Sequence, residues 1–258
     1  MTALVTGGAR RLGRAMALAL AEAGHDVAVH YAGSAAEAEE TAEAIRALGR
    51  RAVTLQADLL DEAATQALLP RAVEALGQPV RVLINNASIF EYDNISSMTR
   101  TSWDRHMDSN LRAPVVLTQA LAAQMPPAEP DENGEPQAQG LVVNMVDQRV
   151  QKLTPEFMSY TIAKMGLWAF TRTAAQALAP HVRVNAIGPG PTMQGARQSD
   201  AHFARQRQAT VLGRGSDAEG IVQALIYFLN ARGVTGQLIC VDGGQHLAWQ
   251  TPDILGVE

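Results

Sequence analysis

The chain has 258 residues, 47% of them hydrophobic and 18% charged, enough to bury a large core, which excludes disordered and fibrous classes. Its 21 Lys and Arg against 26 Asp and Glu leave a net charge of -5, with no basic field to draw in nucleic acid or an anionic membrane. The lone Cys240 excludes a disulfide framework, no apolar run reaches the ~18 residues of a membrane span, and the N-terminal apolar run is too short for a signal peptide, so a soluble, cytoplasmic protein is expected.

Short runs of Val, Ile and Leu alternate with longer Ala-rich amphipathic stretches. Residues Ala3–Thr6 read as a strand, Leu12–Ala23 as a helix closed by Gly24, Asp26–Tyr31 as a strand, and Ala35–Leu48 as a helix ending at Gly49. Ala52–Gln56 is strand-like, Asp61–Leu76 helical, Val80–Ile84 strand-like, and a long helical region runs from about Thr101 to Gln124. Leu141–Met145, Val182–Ile187 and Gln237–Val241 complete the strands, with helices at Tyr160–Leu178 and Asp217–Leu229. Strands that are continuously apolar, rather than alternating, indicate a sheet covered on both faces. The chain order predicts a single α/β domain over 1–258, a Rossmann-like doubly wound parallel sheet. One segment breaks the rhythm. Pro126–Gln139 carries four prolines and four acids, and is expected as a flexible surface loop insertion that forms no ladder.

The first strand runs into Thr6-Gly7-Gly8-Ala9-Arg10-Arg11-Leu12-Gly13 and then a helix. Glycines there permit positive φ and let backbone N–H groups approach a pyrophosphate at the helix N-terminus. A site that prefers NAD has an acid about 20 residues on to accept from the ribose hydroxyls. The second strand here ends His30-Tyr31-Ala32-Gly33-Ser34, and no acid precedes Glu37. Nothing there repels a 2′-phosphate, Arg10 and Arg11 could attract it and Ser34 donate to it, so NADP(H) is the expected cofactor. Solvated surface charge is the rival reading for Arg10 above all.

Tyr160 and Lys164 stand one helical turn apart on one face. A free phenol titrates near pH 10, and an ammonium beside it is expected to lower that value toward catalytic use. The pair accompanies Asn85-Asn86-Ala87 after the fourth strand, Asn110 in the next helix, Gly188-Pro189-Gly190 after the sixth strand, and Asp242-Gly243-Gly244 near the end. In this order, along nearly the whole chain, these segments resemble the short-chain dehydrogenase/reductase family. The resemblance implies that Tyr160 gives or takes the proton, that Lys164 tunes it and holds the nicotinamide ribose, and that Asn110 supports a water relay. It further implies that Asn86 and Ala87 line the adenosine-ribose side, that Pro189 and Gly190 meet the nicotinamide, and that Asp58, with Leu59 beside it, meets the adenine.

Two departures narrow the reading. Arg11 replaces the middle glycine of the family's turn, and Asp147 stands 13 residues before Tyr160, where the family keeps a catalytic serine. An ionised carboxylate cannot donate to a substrate carbonyl, which argues against ordinary ketone reduction. Both departures resemble the pteridine reductases, including dihydromonapterin reductases, as do Arg11-Leu12-Gly13, His30-Tyr31, Asn144-Met145-Val146-Asp147 and Asn86-Ala87-Ser88-Ile89-Phe90.

This predicts an NADPH-dependent reduction of a dihydropterin, or of dihydrofolate, to the tetrahydro form, with the proton delivered from Tyr160 and Asp147. Phe90 would give the flat substrate an aromatic face, Ser88 would bond its amine edge, and Arg11 would bridge the cofactor phosphate and the pterin oxygen. Burial is expected to raise the Asp147 pKa, with Lys164 working against it. Residues 192–215, with Met193, are expected to form a flap over the substrate, and Thr192 to donate to the nicotinamide amide. The six histidines (His25, His30, His106, His181, His202 and His246) show no metal spacing, so no metal is expected. The tail His246–Glu258, with Trp249, resembles family tails that pack on a neighbouring subunit, implying a homotetramer. The alternatives are a carbonyl reductase of 3-oxoacyl or quinone type, and an NADP-binding scaffold without turnover.

Overall fold

A computed structural model describes residues 1–194 and 199–251. The strands are β1 (Thr2–Val5), β2 (Asp26–Tyr31), β3 (Ala52–Gln56), β4 (Val80–Asn85), β5 (Glu129–Pro130), β6 (Pro136–Gln137), β7 (Gly140–Met145), β8 (Val182–Pro189) and β9 (Leu238–Val241). The helices are α1 (Arg11–Glu22), α2 (Ala35–Ala47), α3 (Glu62–Leu76), α4 (Arg100–Met107), α5 (Ala113–Gln124), α6 (Met158–Leu178), α7 (Asp200–Gln208) and α8 (Ala218–Asn230). Seven strands form one parallel sheet in the order β3-β2-β1-β4-β7-β8-β9.

Successive strand side chains point to opposite faces, so β1 sends Ala3 and Val5 one way and Leu4 the other. Ala3 and Val5 pack with Met16 and Leu20 of α1, Ile45 of α2 and Phe228 of α8. Leu4 packs with Leu68 of α3, Leu117 of α5 and Ala175 of α6. Burying each large apolar side chain contributes about 1.5–3 kcal/mol. Strand order reverses between β1 and β4, and in such sheets the crevice outside the carboxyl ends at that point binds ligands. The residues after β1, β4, β7 and β8 all face that crevice.

Helix ends follow the local chemistry. Asp61 caps α3, its carboxylate accepting from the N–H groups of Ala63 (2.8 Å) and Ala64 (3.2 Å), and Gly77 closes that helix in the left-handed conformation. Asp217 caps α8 in the same way. The long helical stretch expected over Thr101–Gln124 is divided by a π-helical turn, Asp108–Arg112, which carries Asn110.

The Pro126–Gln139 segment corrects the expectation of no ladder. Glu129 and Pro130 pair antiparallel with Gln137 and Pro136. Asp131 stitches the turn: its carboxylate accepts from the N–H groups of Asn133 (2.8 Å) and Glu135 (3.0 Å), and its own N–H donates to Glu135 O (2.8 Å). A ladder of two residues needs few N–H donors, and the Asp side chain replaces the rest, which is why four prolines do not prevent it. The tail expected to meet a neighbouring subunit continues past Thr251, and its residues 252–258 lie outside those described. No described helix is long and apolar enough to cross a membrane.

Candidate active site

The turn after β1 is built from backbone. Gly7 sits at φ +61, and a Cβ on Gly13 would lie 2.0 Å from Gly7 O, so turn and helix touch through hydrogen alone. Arg11 also adopts a left-handed backbone, φ +53, at the position where a glycine is expected. A side chain there costs about 1–2 kcal/mol. Its guanidinium donates to Met193 O (2.9 Å) and Gln194 O (2.7 Å), tying the turn to the segment after β8. The bridge expected of Arg11 therefore ends on flap carbonyls in this structure, although Arg11 lines both cavities described below.

His30 holds the turn from beneath. It is 1% exposed; Gly7 N–H donates to its Nδ1 (3.0 Å), so Nε2 carries the proton and donates to Ala57 O (3.1 Å). Burial lowers its pKa to about 4, which keeps the ring neutral. Asn86 secures the other side, its Nδ2 donating to Thr6 O (2.9 Å) and Gly7 O (3.2 Å). No side chain caps the α1 N-terminus at Arg10, leaving its first N–H groups facing a cavity of about 760 Å³. Leu12, Tyr31, Ser34, Ala87 and Ser88 also line that cavity. A pyrophosphate fits a glycine cradle of this kind at an uncapped helix start. Arg10 leans on Glu37 at 3.4 Å, both exposed. Asp58 accepts from Leu60 N–H (3.0 Å) and Leu59 is buried; neither is among the residues lining that cavity.

An adjoining cavity of about 380 Å³ shares Arg11, Leu12, Asn86 and Ser88 with the first and contains the acid–base groups. Tyr160 O–H donates to Asp147 Oδ2 (2.9 Å), and Arg149 N–H donates to Asp147 Oδ1 (2.9 Å). Lys164 Nζ donates to Met145 O (2.7 Å) and lies 5.7 Å from the centre of the Tyr160 ring. Burial pushes the Asp147 pKa up, against the hydrogen bonds from Arg149 and Tyr160 and the charge of Lys164. Burial, reinforced by the Asp147 charge, also pushes Tyr160 well above the ordinary phenol value. Burial lowers Lys164 to about 8. The expectation of a phenol made easier to ionise is corrected: the ammonium bonds a carbonyl, and burial, with the Asp147 carboxylate second, holds the phenol proton on.

Asn110 is fully buried, accepting from Ile89 N–H (2.8 Å) and donating to Ile89 O (2.8 Å). Both bonds tie it to the loop that carries Ser88 and Phe90. Ser88 is exposed and Phe90 is 43% exposed. Phe90 stacks on Phe157, 4.3 Å between centroids and 9° between planes, and meets the Tyr160 ring edge-on at 4.7 Å. Pro189, Gly190, Thr192 and Met193 form the opposite wall, with Thr192 Oγ1 donating to Gly190 O (3.0 Å). The flap expected over 192–215 contains α7, and Arg207 anchors it by donating to Pro191 O (2.9 Å) and Ser216 O; its residues 195–198 lie outside those described.

Sequence reasoning missed the support behind Tyr160. Asp93 is 1% exposed and accepts from Ser159 N–H (3.0 Å) and Ser159 Oγ. Ser159 Oγ lies 2.7 Å from His106 Nδ1, and Glu91 N–H donates to His106 Nε2 (3.2 Å), so the imidazole proton sits on Nδ1. Burial works to raise the Asp93 pKa, but the bonds from Ser159 and Ser102 outweigh it and hold the carboxyl low. This chain of bonds clamps the Phe90 loop to the start of α6. Phe157 was also missed; its left-handed φ of +56 is an uncommon conformation that no residue pattern announces.

The short chain dehydrogenase family profile matches residues 1–203. The crystal structure of FolM alternative dihydrofolate reductase 1 from Brucella canis, complexed with NADP, is similar at a TM-score of 0.90 and 45% identity, covering 98% of this chain and 96% of that one. A short chain dehydrogenase from Burkholderia cenocepacia J2315 in complex with NADP matches at a TM-score of 0.83 and 32% identity, covering 94% and 96%. The 3-oxoacyl-acyl-carrier-protein reductase FabG of Staphylococcus epidermidis is 32% identical over 95% of this chain and 99% of its own length.

Proposed function

The chain belongs to the short chain dehydrogenase family, and from that premise we propose that it reduces a dihydropterin, dihydrofolate included, to the tetrahydro form. It is an NADP-dependent oxidoreductase: similar family members are crystallised with NADP, and the cradle has the shape and donors a pyrophosphate needs. The observation that carries the finer reading is the part-buried Asp147–Tyr160 hydrogen bond at the position where the family keeps a serine. The Brucella neighbour named as an alternative dihydrofolate reductase supports the same substrate class. The FabG relative favours the carbonyl alternative, against which stands Asp147, its two oxygens accepting from Tyr160 and the Arg149 N–H, at the position where the family keeps a serine to donate to the carbonyl.

In this reading Gly7, Gly13 and the α1 N-terminus hold the pyrophosphate, and Arg10 and Ser34 the 2′-phosphate. Lys164 and Tyr160 hold the nicotinamide ribose, with Pro189, Gly190 and Thr192 on the nicotinamide. Phe90, backed by Phe157, faces the pterin, with Ser88, Arg11 and Met193 on its edges. When bound, the reduced cofactor supplies hydride to a C=N carbon of the substrate. The chain supplies the proton. Burial keeps the proton on Tyr160 and raises the Asp147 pKa, so Asp147 takes up a proton more readily than an exposed carboxylate does. Protonated Asp147 restores the proton that Tyr160 passes to the ring nitrogen. Activity therefore falls as pH climbs through the raised Asp147 pKa, and Asp147→Asn removes that limb of the profile.

The direct test follows NADPH absorbance with dihydromonapterin, dihydrobiopterin, dihydrofolate and a ketone panel. Oxidation with a dihydropterin or dihydrofolate is expected. Oxidation with ketones alone overturns the pterin reading, and NADPH binding without any oxidation makes the protein a scaffold.

A further inference from the structure

At the end of the sheet opposite the cleft, where β4, β7 and β8 begin, lies a cavity of about 390 Å³. The strands that connect the two ends put them roughly 20 Å apart. Its wall carries Arg81 on β4, Arg183 on β8, Arg232 after α8, and His25 before β2, and it contains no aspartate or glutamate. Several arginines elsewhere are matched to acids, such as Arg46 with Glu39, Arg105 with Glu91 and Arg112 with Glu62, while Arg11 and Arg207 are spent on two or more backbone carbonyls each. Arg81, Arg183 and Arg232 form no ion pair among the described residues.

Their recorded bonds are to neutral acceptors. Arg81 donates to Gln139 Oε1 (2.7 Å), Arg232 to Gln137 Oε1 (3.3 Å), and Arg183 to the carbonyls of Ala231 (3.0 Å) and Val234 (3.1 Å). Each of these bonds comes from one nitrogen, and a guanidinium has five N–H donors, so donors remain on all three. His25 is 8% exposed, and its Nδ1 is buried without a hydrogen-bond partner among the described residues. The acids nearby are engaged already. Asp26 accepts from Arg51 (2.9 Å) and pairs with Arg50 (3.1 Å), and Asp131, whose pKa Arg232 helps to lower, accepts first from the backbone of its own turn. Gln137 and Gln139 belong to the Pro-rich segment, so the insertion that the redox site leaves unused forms one wall here.

We infer that this cavity binds a small multivalent anion bearing phosphate or carboxylate groups. Three unneutralised guanidinium groups in a concave, partly dry wall focus positive potential, and their forked donors match either group bidentately. Burial already lowers the Arg183 pKa, and an anion would offset the cost of holding that charge. The volume lies within the ~300–1,000 Å³ usual for small-ligand sites, and a chain of net charge -5 gives no wider basic surface for a polymer to follow.

The test titrates inorganic pyrophosphate and, separately, citrate into protein saturated with NADP+, by calorimetry at fixed ionic strength. Saturation fills the dinucleotide cradle, so the heat arises elsewhere. One site per chain is expected for at least one probe, weakened at least about tenfold in Arg81→Gln/Arg232→Gln and unchanged in Arg172→Gln, outside the cavity wall. Pyrophosphate alone would assign phosphate chemistry and citrate alone carboxylate chemistry. Should the double variant lose its cooperative melt, the exposed single change Arg232→Gln carries the test through a several-fold loss. Heat from neither probe, or affinity that survives these changes, overturns the assignment.

Discussion

The cradle around Gly7–Gly13 and the acid corner around Asp147 open into the same cleft, yet they are held by different means. The cradle is a set of backbone groups fixed by neutral partners: His30 beneath, Asn86 beside, and a helix start without a side-chain cap. The acid corner packs a carboxyl, a phenol and an ammonium into the wall of one cavity, and burial shifts each of them toward its neutral form. A backbone cradle is specified by where side chains are missing. A cluster of charges is specified by which partner each group finds, and here the ammonium finds Met145 O rather than the phenol. The first can be broken by adding one methyl group, the second only by changing protons.

The largest effect belongs to the acid corner. Tyr160→Phe removes the donor to Asp147 and should lower kcat by ~10²–10⁴, with NADPH affinity falling far less, because the pyrophosphate cradle does not depend on that hydroxyl and only one contact to the nicotinamide ribose is lost. Stopped-flow rates and a fluorescence titration of NADPH measure the two halves separately. A variant that keeps most of its rate removes Tyr160 from the proton path.

That division also marks what the sequence could convey. Strand–helix alternation, the glycine turn and the Tyr160–Lys164 spacing all lie within short stretches, where periodicity and turn chemistry act, and the seven-stranded parallel sheet follows from them. The raised phenol pKa was not legible, because it depends first on burial, which only the assembled fold sets, and then on Asp147, 13 residues away, being the nearer charge. The Asp93–Ser159–His106 chain joins residues 53 and 66 apart in sequence, and no local pattern encodes such a meeting. The short ladder at Glu129–Gln137 was obscured by its prolines, since the Asp131 carboxylate that replaces the missing donors acts through a side chain.

The cradle has a proton sensitivity of its own, through His30. The folded pKa, about 4, lies below the unfolded value of 6.5, so protonation favours the unfolded chain. The stability is complete above pH 6.5 and is lost as pH falls toward 4, by about 3 kcal/mol across the window. Urea midpoints at pH 7 and pH 4.5 measure this, and His30→Gln should reduce the difference by about half, since burial lowers His25 to about 4 as well and it titrates over the same window. A slope unchanged in that variant would place the loss at other histidines. Gly13→Ala comes next: its Cβ would strike Gly7 O, an overpacking of about 1–3 kcal/mol, which weakens NADPH binding by roughly tenfold to a hundredfold. An NADPH titration that matches the unmodified protein would show that the turn yields more easily than its contacts imply.

The smallest expected effect tests where the halves of the cleft diverge most, at an exposed pair. Glu37 holds Arg10 at 3.4 Å with both side chains open to solvent. Such pairs are worth about 0–1 kcal/mol and weaken with salt. The carboxylate takes up a cation that the 2′-phosphate would otherwise use, and its own charge opposes that phosphate. Glu37→Gln should therefore raise the preference for NADP over NAD by up to about fivefold at low salt, with the gain fading at high salt. The ratio of the two dissociation constants at two ionic strengths reads this out. A ratio that falls would mean that Glu37 holds Arg10 in its binding position, making the acid a support for the 2′-phosphate site rather than a competitor.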